Sequence, residues 1–187
     1  GATRGRIEAF EQDVTHWPLH QRARFGLSYL PQESSIFRKL SVRENLQIIL
    51  EYSGLSRKEQ RARRDYLLQE LGIAGLAEQR AASLSGGERR RLEIARALIR
   101  DPVFMLLDEP FAGIDPLAVD DIQTNIRNLK DKGIGVLISD HNVRETMSIC
   151  DRVYLVFEGR IILEGTPEEI VQDAQARQIY LGEKFSM

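Results

Sequence analysis

Leu84-Ser85-Gly86-Gly87-Glu88 and, further along, Phe104-Met105-Leu106-Leu107-Asp108-Glu109-Pro110 are the stretches that decide how this chain folds. In the first, Ser85 and Glu88 stand at capping-box spacing, so a helix opens at the two glycines. The second is an apolar run that ends in two adjacent carboxylates. From Val103 to Leu107 it is continuously apolar, as expected of a strand covered on both faces of a parallel sheet. Asp108 and Glu109 then fall at the carboxyl end of that strand, where open α/β sheets bind ligands.

Outward from these two stretches the pattern repeats. Ser41/Glu44 and Ser56/Glu59 are further capping boxes, predicting helices to about Tyr52 and to Leu71, and the Ser85 helix runs to about Ile99. Residues 34–99 therefore read as an all-helical lobe. Before it come a short strand at Arg6 to Phe10, a helix from Pro18 to Gly26 and a strand over Leu27 to Leu30. After it, a helix from Pro116 to Lys132 leads to a second buried strand, Gly135 to Ser139, and a helix from Val143 to Cys150. Val153 to Phe157 and Arg160 to Leu163 make a hairpin around Glu158-Gly159, and Thr166-Pro167-Glu168-Glu169 opens another helix. The chain is thus an α/β sheet, residues 1–33 and 100–187, interrupted by the helical lobe 34–99.

Composition excludes several classes. A net charge of −2 offers no general attraction for nucleic acid or anionic membrane. The single cysteine, Cys150, rules out an internal disulfide and suits a reducing compartment. No apolar stretch approaches the roughly 18 residues a membrane span needs, and the first residues lack the apolar core of a secretory signal. The chain starts at Gly1, without an initiator Met, which suggests that it begins inside a longer gene product.

Several residues could carry chemistry. Asp108 can hold a Mg²⁺ that bridges nucleotide phosphates. Glu109 can polarise an attacking water as general base, although two solvated acids at a strand end would also look like this. Gly86 and Gly87 at a helix start let backbone N–H groups approach an anion, with Ser85 adding a hydroxyl; a plain helix cap would share the pattern. His141, just past a strand, could reach a phosphate or the water, and Gln32 could contact Mg²⁺ or the water from a loop between the lobes. Asp115 could act at the site or be simply the cap of the following helix. The run Arg89-Arg90-Arg91 reads as a solvated face, as do Arg57, Lys58, Arg61, Arg63 and Arg64. Trp17 and Phe37 could be partner contacts, although single aromatics beside loops are more often satellite core.

Taken in order, these residues resemble the nucleotide-binding subunit of ATP-binding-cassette (ABC) transporters. Pro31-Gln32-Glu33 is similar to that family's Q-loop, Leu84 to Glu88 to its signature motif, and Leu106 to Pro110 to Walker B with the catalytic glutamate. Gly113-Ile114-Asp115-Pro116 resembles the D-loop and His141 the switch histidine. Within the family, Tyr29 to Arg38, Asp140 to Thr146 and Tyr180 to Phe185 resemble the ATPases of lipopolysaccharide exporters, with those of branched-chain amino-acid importers as the nearest rival.

The resemblance implies a P-loop NTPase-like core, ATP and Mg²⁺ as ligands, and two copies closing head to tail. Ser85 to Glu88 of one copy would then serve the ATP of the other. Transmembrane permease subunits would dock near Gln32 and the helical lobe, placing the protein in the cytoplasm, peripheral on the inner membrane. No G-x-x-x-x-G-K-[ST] loop, the family's Walker A, occurs in the 187 residues. The expectation is therefore an N-terminally truncated ABC ATPase, inactive alone and active as the full-length protein. A docking module without turnover is the alternative. A nucleic-acid-handling ATPase is disfavoured by the acidic balance.

Overall fold

The computed structural model describes residues 4–178. Three parallel strands form its main sheet, in the order β3 (Leu27–Leu30), β4 (Phe104–Asp108), β5 (Gly135–Ser139). Parallel neighbours need crossovers, and the long segments between them supply these. One crossover contains α2 (Val42–Leu50), α3 (Arg57–Glu70) and α4 (Gly86–Leu98), with short 3₁₀ turns at Ala74–Leu76 and Ala81–Ser83. The other is α5 (Pro116–Asp131). All three strands point the same way, so their carboxyl ends, at Leu30, Asp108 and Ser139, lie side by side.

The helices begin where side chains can satisfy their free N–H groups. Ser41, Ser56 and Ser85 each accept a bond from the backbone of the glutamate three residues on, and that glutamate accepts one back. α4 joins the lobe to the sheet: it packs on α2 and α3 on one side and on β3 and α5 on the other. One buried apolar cluster accordingly runs from Leu46 and Leu67 through Leu92 and Ile94 to Met105, Leu107 and Ile122. Gly26 feeds β3 into this sheet. It sits at φ +96°, its carbonyl accepts from the amides of Val103 and Phe104, and a Cβ there would come within 2.8 Å of Val103.

Two antiparallel hairpins flank the sheet. β1 (Glu8–Ala9) and β2 (Gln12–Asp13) turn through Phe10 and Glu11, both at positive φ. The expected strand at Arg6 to Phe10 is thus cut to two residues, because Phe10 is itself in the turn. A short helix, α1 (Leu19–Arg24), then leads to Gly26. β6 (Val153–Phe157) and β7 (Arg160–Gly165) turn at Glu158-Gly159, both also at positive φ, the conformation that a two-residue hairpin loop requires. Thr166 caps α7 (Pro167–Gln172), and a single turn, α8 (Ala174–Ala176), follows.

Several expectations need correction. β5 is not buried on both faces: it is an edge strand of this sheet, and Leu137 is 50% exposed. The helix after it, α6 (Val143–Met147), stops short of Cys150. Phe37 is half-exposed, with the Arg96 guanidinium 5.1 Å from its ring centre, whereas Trp17 packs edge-on against Phe25 at 5.2 Å. Arg63 and Arg64 are not on a wet face. Arg63 donates to the Leu98 carbonyl and Arg64 to Gln47, which ties α3 to its neighbours. Tyr180 to Phe185 lie outside the described residues.

Candidate functional site

Glu109 is the centre of the site. The β4–β5 ladder continues one step past Asp108, where the Glu109 amide donates to the Ser139 carbonyl at 2.7 Å. Glu109 itself takes φ +43°. A non-glycine residue held there stores strain of about 1–3 kcal/mol, and such outliers gather at functional sites. Gln32, just past β3, donates its side-chain amide to Glu109 Oε2 at 2.7 Å, and His141 Nδ1 lies 3.4 Å from the same oxygen. Three residues from three strand ends thus meet at one carboxylate oxygen. The Glu109 side chain is 29% exposed and that of His141 71%, so water can reach the oxygen.

Asp108 points into a second group. Tyr29 donates its hydroxyl to Oδ2 at 3.0 Å, and Ser139 donates to Oδ1 at 2.6 Å. The bond to Asp108 pushes the Tyr29 phenol above its ordinary pKa, with partial burial and the carboxylate's charge adding to it. Gln32, expected at the Mg²⁺ or at the attacking water, donates its side-chain amide to Glu109.

The signature residues stand apart from this group. Ser85 and Glu88 bond each other as cap and box, at the N-terminus of α4. Gly86 and Gly87 pack tightly, for a reason beyond anion access. A Cβ on Gly86 would come 2.9 Å from the Gly113 carbonyl oxygen, and one on Gly87 2.9 Å from Ala118. The start of α4 is therefore pressed against the loop that ends at Asp115. Asp115 caps α5, accepting from the Leu117 amide at 2.9 Å.

Four parts of this arrangement are not legible in the sequence. Arg90 was expected on a solvated face. It is 5% exposed and pairs with buried Glu93 at 2.9 Å. Its guanidinium also donates to the carbonyls of Pro31 and Asp108, and Ser34 donates to Glu93, so α4 holds both the Gln32 loop and the end of β4. Tyr29 and Ser139 were read only as strand residues, although Ser139 stands directly opposite Asp108 in the ladder. Asp140, whose side chain is fully buried, accepts from the amides of Phe111 at 3.2 Å and Asn142 at 2.8 Å.

A parallel sheet of this order, with a helical lobe in its first crossover and paired acids at the central strand end, defines an ATP-binding cassette. The chain belongs to the ABC transporter family, whose model matches residues 1–112. A second model, that of the branched-chain amino acid ATP-binding cassette transporter, matches residues 160–186. Among curated relatives, the lipopolysaccharide export system ATP-binding protein LptB of Acidithiobacillus ferridurans is 53% identical, over 98% of this chain and 76% of its own length. LptB of Escherichia coli K12 is 52% identical with the same coverage. A probable ABC transporter ATP-binding protein of Azorhizobium caulinodans is 53% identical, over all of this chain and 66% of its own. The chain thus spans 66–76% of these relatives' length. Among solved structures, an ATP-binding cassette of an ABC transporter in its ADP conformation matches with a TM-score of 0.82 and 28% identity, over 97% of this chain and 78% of that one. A nucleotide-free cassette matches with a TM-score of 0.81 and 26% identity, over 97% and 79%.

Proposed function

We propose that the protein, in its full-length form, is the ATP-hydrolysing motor of a transporter that exports lipopolysaccharide from the inner membrane. The observation that carries the chemistry is the meeting of Gln32, Glu109 and His141 at Glu109 Oε2. Glu109 is the general base: its carboxylate takes a proton from the attacking water. The Gln32 amide and the His141 ring fix where that water sits. Bound ATP would supply the γ-phosphoryl group that this water accepts as ADP leaves, and a Mg²⁺ held at Asp108 would offset the phosphate charge.

Asp108 suits a Mg²⁺ contact. Among the described residues no group of three or more His, Cys, Asp or Glu could hold a metal by itself. Mg²⁺ binds through one or two carboxylates with water and phosphate oxygens completing its shell, which a single aspartate held by Tyr29 and Ser139 fits. Ser85 to Glu88, at the positive end of a 13-residue helix, suit the phosphates of an ATP presented by a second copy. That head-to-tail homodimer is supported by the face they share with Asp115, where Leu117 is 92% exposed. The helical lobe, residues 34–99, meets the sheet domain near Gln32, and half-exposed Phe37 there supports docking of permease subunits. No helix of the described residues is long and apolar enough to cross a membrane. A peripheral place on the cytoplasmic face of the inner membrane follows from the reading as motor of an inner-membrane transporter.

Export of lipopolysaccharide rests on the LptB relatives. The match at residues 160–186 favours the second reading, a branched-chain amino-acid importer. The two separate in vesicles holding the full-length protein with its permease. Turnover stimulated by lipopolysaccharide is the expected result. Stimulation by branched-chain amino acids, with none by lipopolysaccharide, would replace the exporter with the importer.

A further inference from the structure

A carboxylate taken fully out of water needs compensating donors, and the donors it uses say what it does. Asp140 is such a carboxylate: its side chain is 0% exposed. Among the described residues no lysine or arginine meets it. It accepts two backbone amides instead, and they belong to different loops. The Asn142 amide, at 2.8 Å, is local and makes the tight turn that opens α6. The Phe111 amide, at 3.2 Å, comes from the loop after β4, two residues beyond Glu109. A residue needed only for its own turn would not reach across to the neighbouring strand's loop.

The loop it reaches is the strained one. Glu109 sits at φ +43° between two anchors. On one side its amide is bonded to Ser139, and on the other Phe111 is bonded to Asp140. Both anchors come from consecutive residues at the end of β5. The next residue is His141, whose Nδ1 faces Glu109 Oε2 at 3.4 Å and Asp140 Oδ1 at 3.8 Å. We propose that Asp140 is a positioning residue: it clamps the backbone of the Glu109 loop to the backbone that carries His141, and so fixes the distance between the two side chains. This rests on the reading of Glu109 as general base. Asp140 does not touch the water or the nucleotide. It acts by holding Glu109 in the left-handed conformation that aims its carboxylate at Gln32 and His141.

The test is Asp140→Asn in the full-length ATPase, which keeps the shape but turns an NH₂ towards one of the two amides. Misplacing a catalytic group by about 1 Å costs up to a hundredfold, so kcat is expected to fall roughly tenfold to a hundredfold while KM for ATP moves by less than about twofold. Amide exchange at Phe111, measured without nucleotide, is expected to be slow in the wild type and faster in the variant. A variant kcat within about twofold of wild type, or a KM that rises with kcat unchanged, overturns the clamp. If Asp140→Asn does not fold, the wild-type Phe111 amide decides: slow exchange supports the clamp, and free exchange overturns it. Glu109→Gln, assayed alongside, separates the two levels. Full turnover there removes the general-base reading itself, whereas lost turnover there with full turnover in Asp140→Asn removes only the clamp.

Discussion

Arg90 and Glu93 show how much a single pair decides at the residue scale. Their side chains are 6% and 4% exposed, and between them they hold Pro31, Ser34 and Asp108. Removing one partner strands the other charge away from water, so Arg90→Met is expected to cost about 3–5 kcal/mol in urea unfolding. Arg90→Met with Glu93→Leu should recover much of that loss, since no charge is then left buried. Nothing in the triplet Arg89-Arg90-Arg91 distinguishes its members by type. The usable signal was position: Arg90 stands four residues before Ile94, on the stripe that α4 buries, while the charge run argued for solvent. Gly86 poses the opposite contest. Alanine is the better helix former by at most about 1 kcal/mol. Its Cβ would lie 2.9 Å from a backbone oxygen, and overpacking of that kind costs about 1–3 kcal/mol. Gly86→Ala is therefore expected to lower the urea midpoint, and a raised midpoint would show that the loop at Gly113 yields freely.

Elements were the most legible level, because their signals are local. All four capping boxes, at Ser41, Ser56, Ser85 and Thr166, form as the spacing predicts, and each helix starts where its box says. The box at Ser56 opens the long polar helix α3, so Ser56→Ala is expected to destabilise the protein by about 1 kcal/mol in thermal unfolding. The box glutamates add a pH dependence. Hydrogen bonds from Ser41 hold Glu44 below its ordinary pKa of 4.5, and those from Ser56 do the same for Glu59. A carboxyl lowered in the folded state contributes stability that is complete above its unfolded pKa and is lost as pH falls through the lowered folded value. Acid unfolding monitored by circular dichroism should therefore show Glu44→Gln and Glu59→Gln losing stability relative to wild type at neutral pH, with the gap closing below pH 4.5. What stayed illegible at this scale was long-range. Leu137 reads as apolar strand whether or not anything covers it, and its exposure follows from β5 lying at the edge of the three strands. Phe10 reads as strand, yet it is in the turn, because neither it nor Glu11 is one of the residues that announce a positive φ.

In the whole molecule, topology gathers what the sequence scatters. Gln32, Glu109 and His141 come from three separate stretches, and they meet because β3, β4 and β5 are parallel neighbours whose carboxyl ends coincide. Their convergence could be read in advance, since strands alternating with helices require a parallel sheet. The contacts that hold them could not, because Tyr29 on Asp108 and Asp140 on Phe111 depend on side-chain directions across that sheet. Whether Glu109 removes the proton from the attacking water is decided by phosphate release from full-length wild type and Glu109→Gln, with ATP affinity measured in parallel. The amide keeps the shape and the bond to Gln32 but cannot act as base, so turnover is predicted to fall at least about a hundredfold with ATP still bound. Turnover in Glu109→Gln equal to wild type would mean that Glu109 does not take the proton.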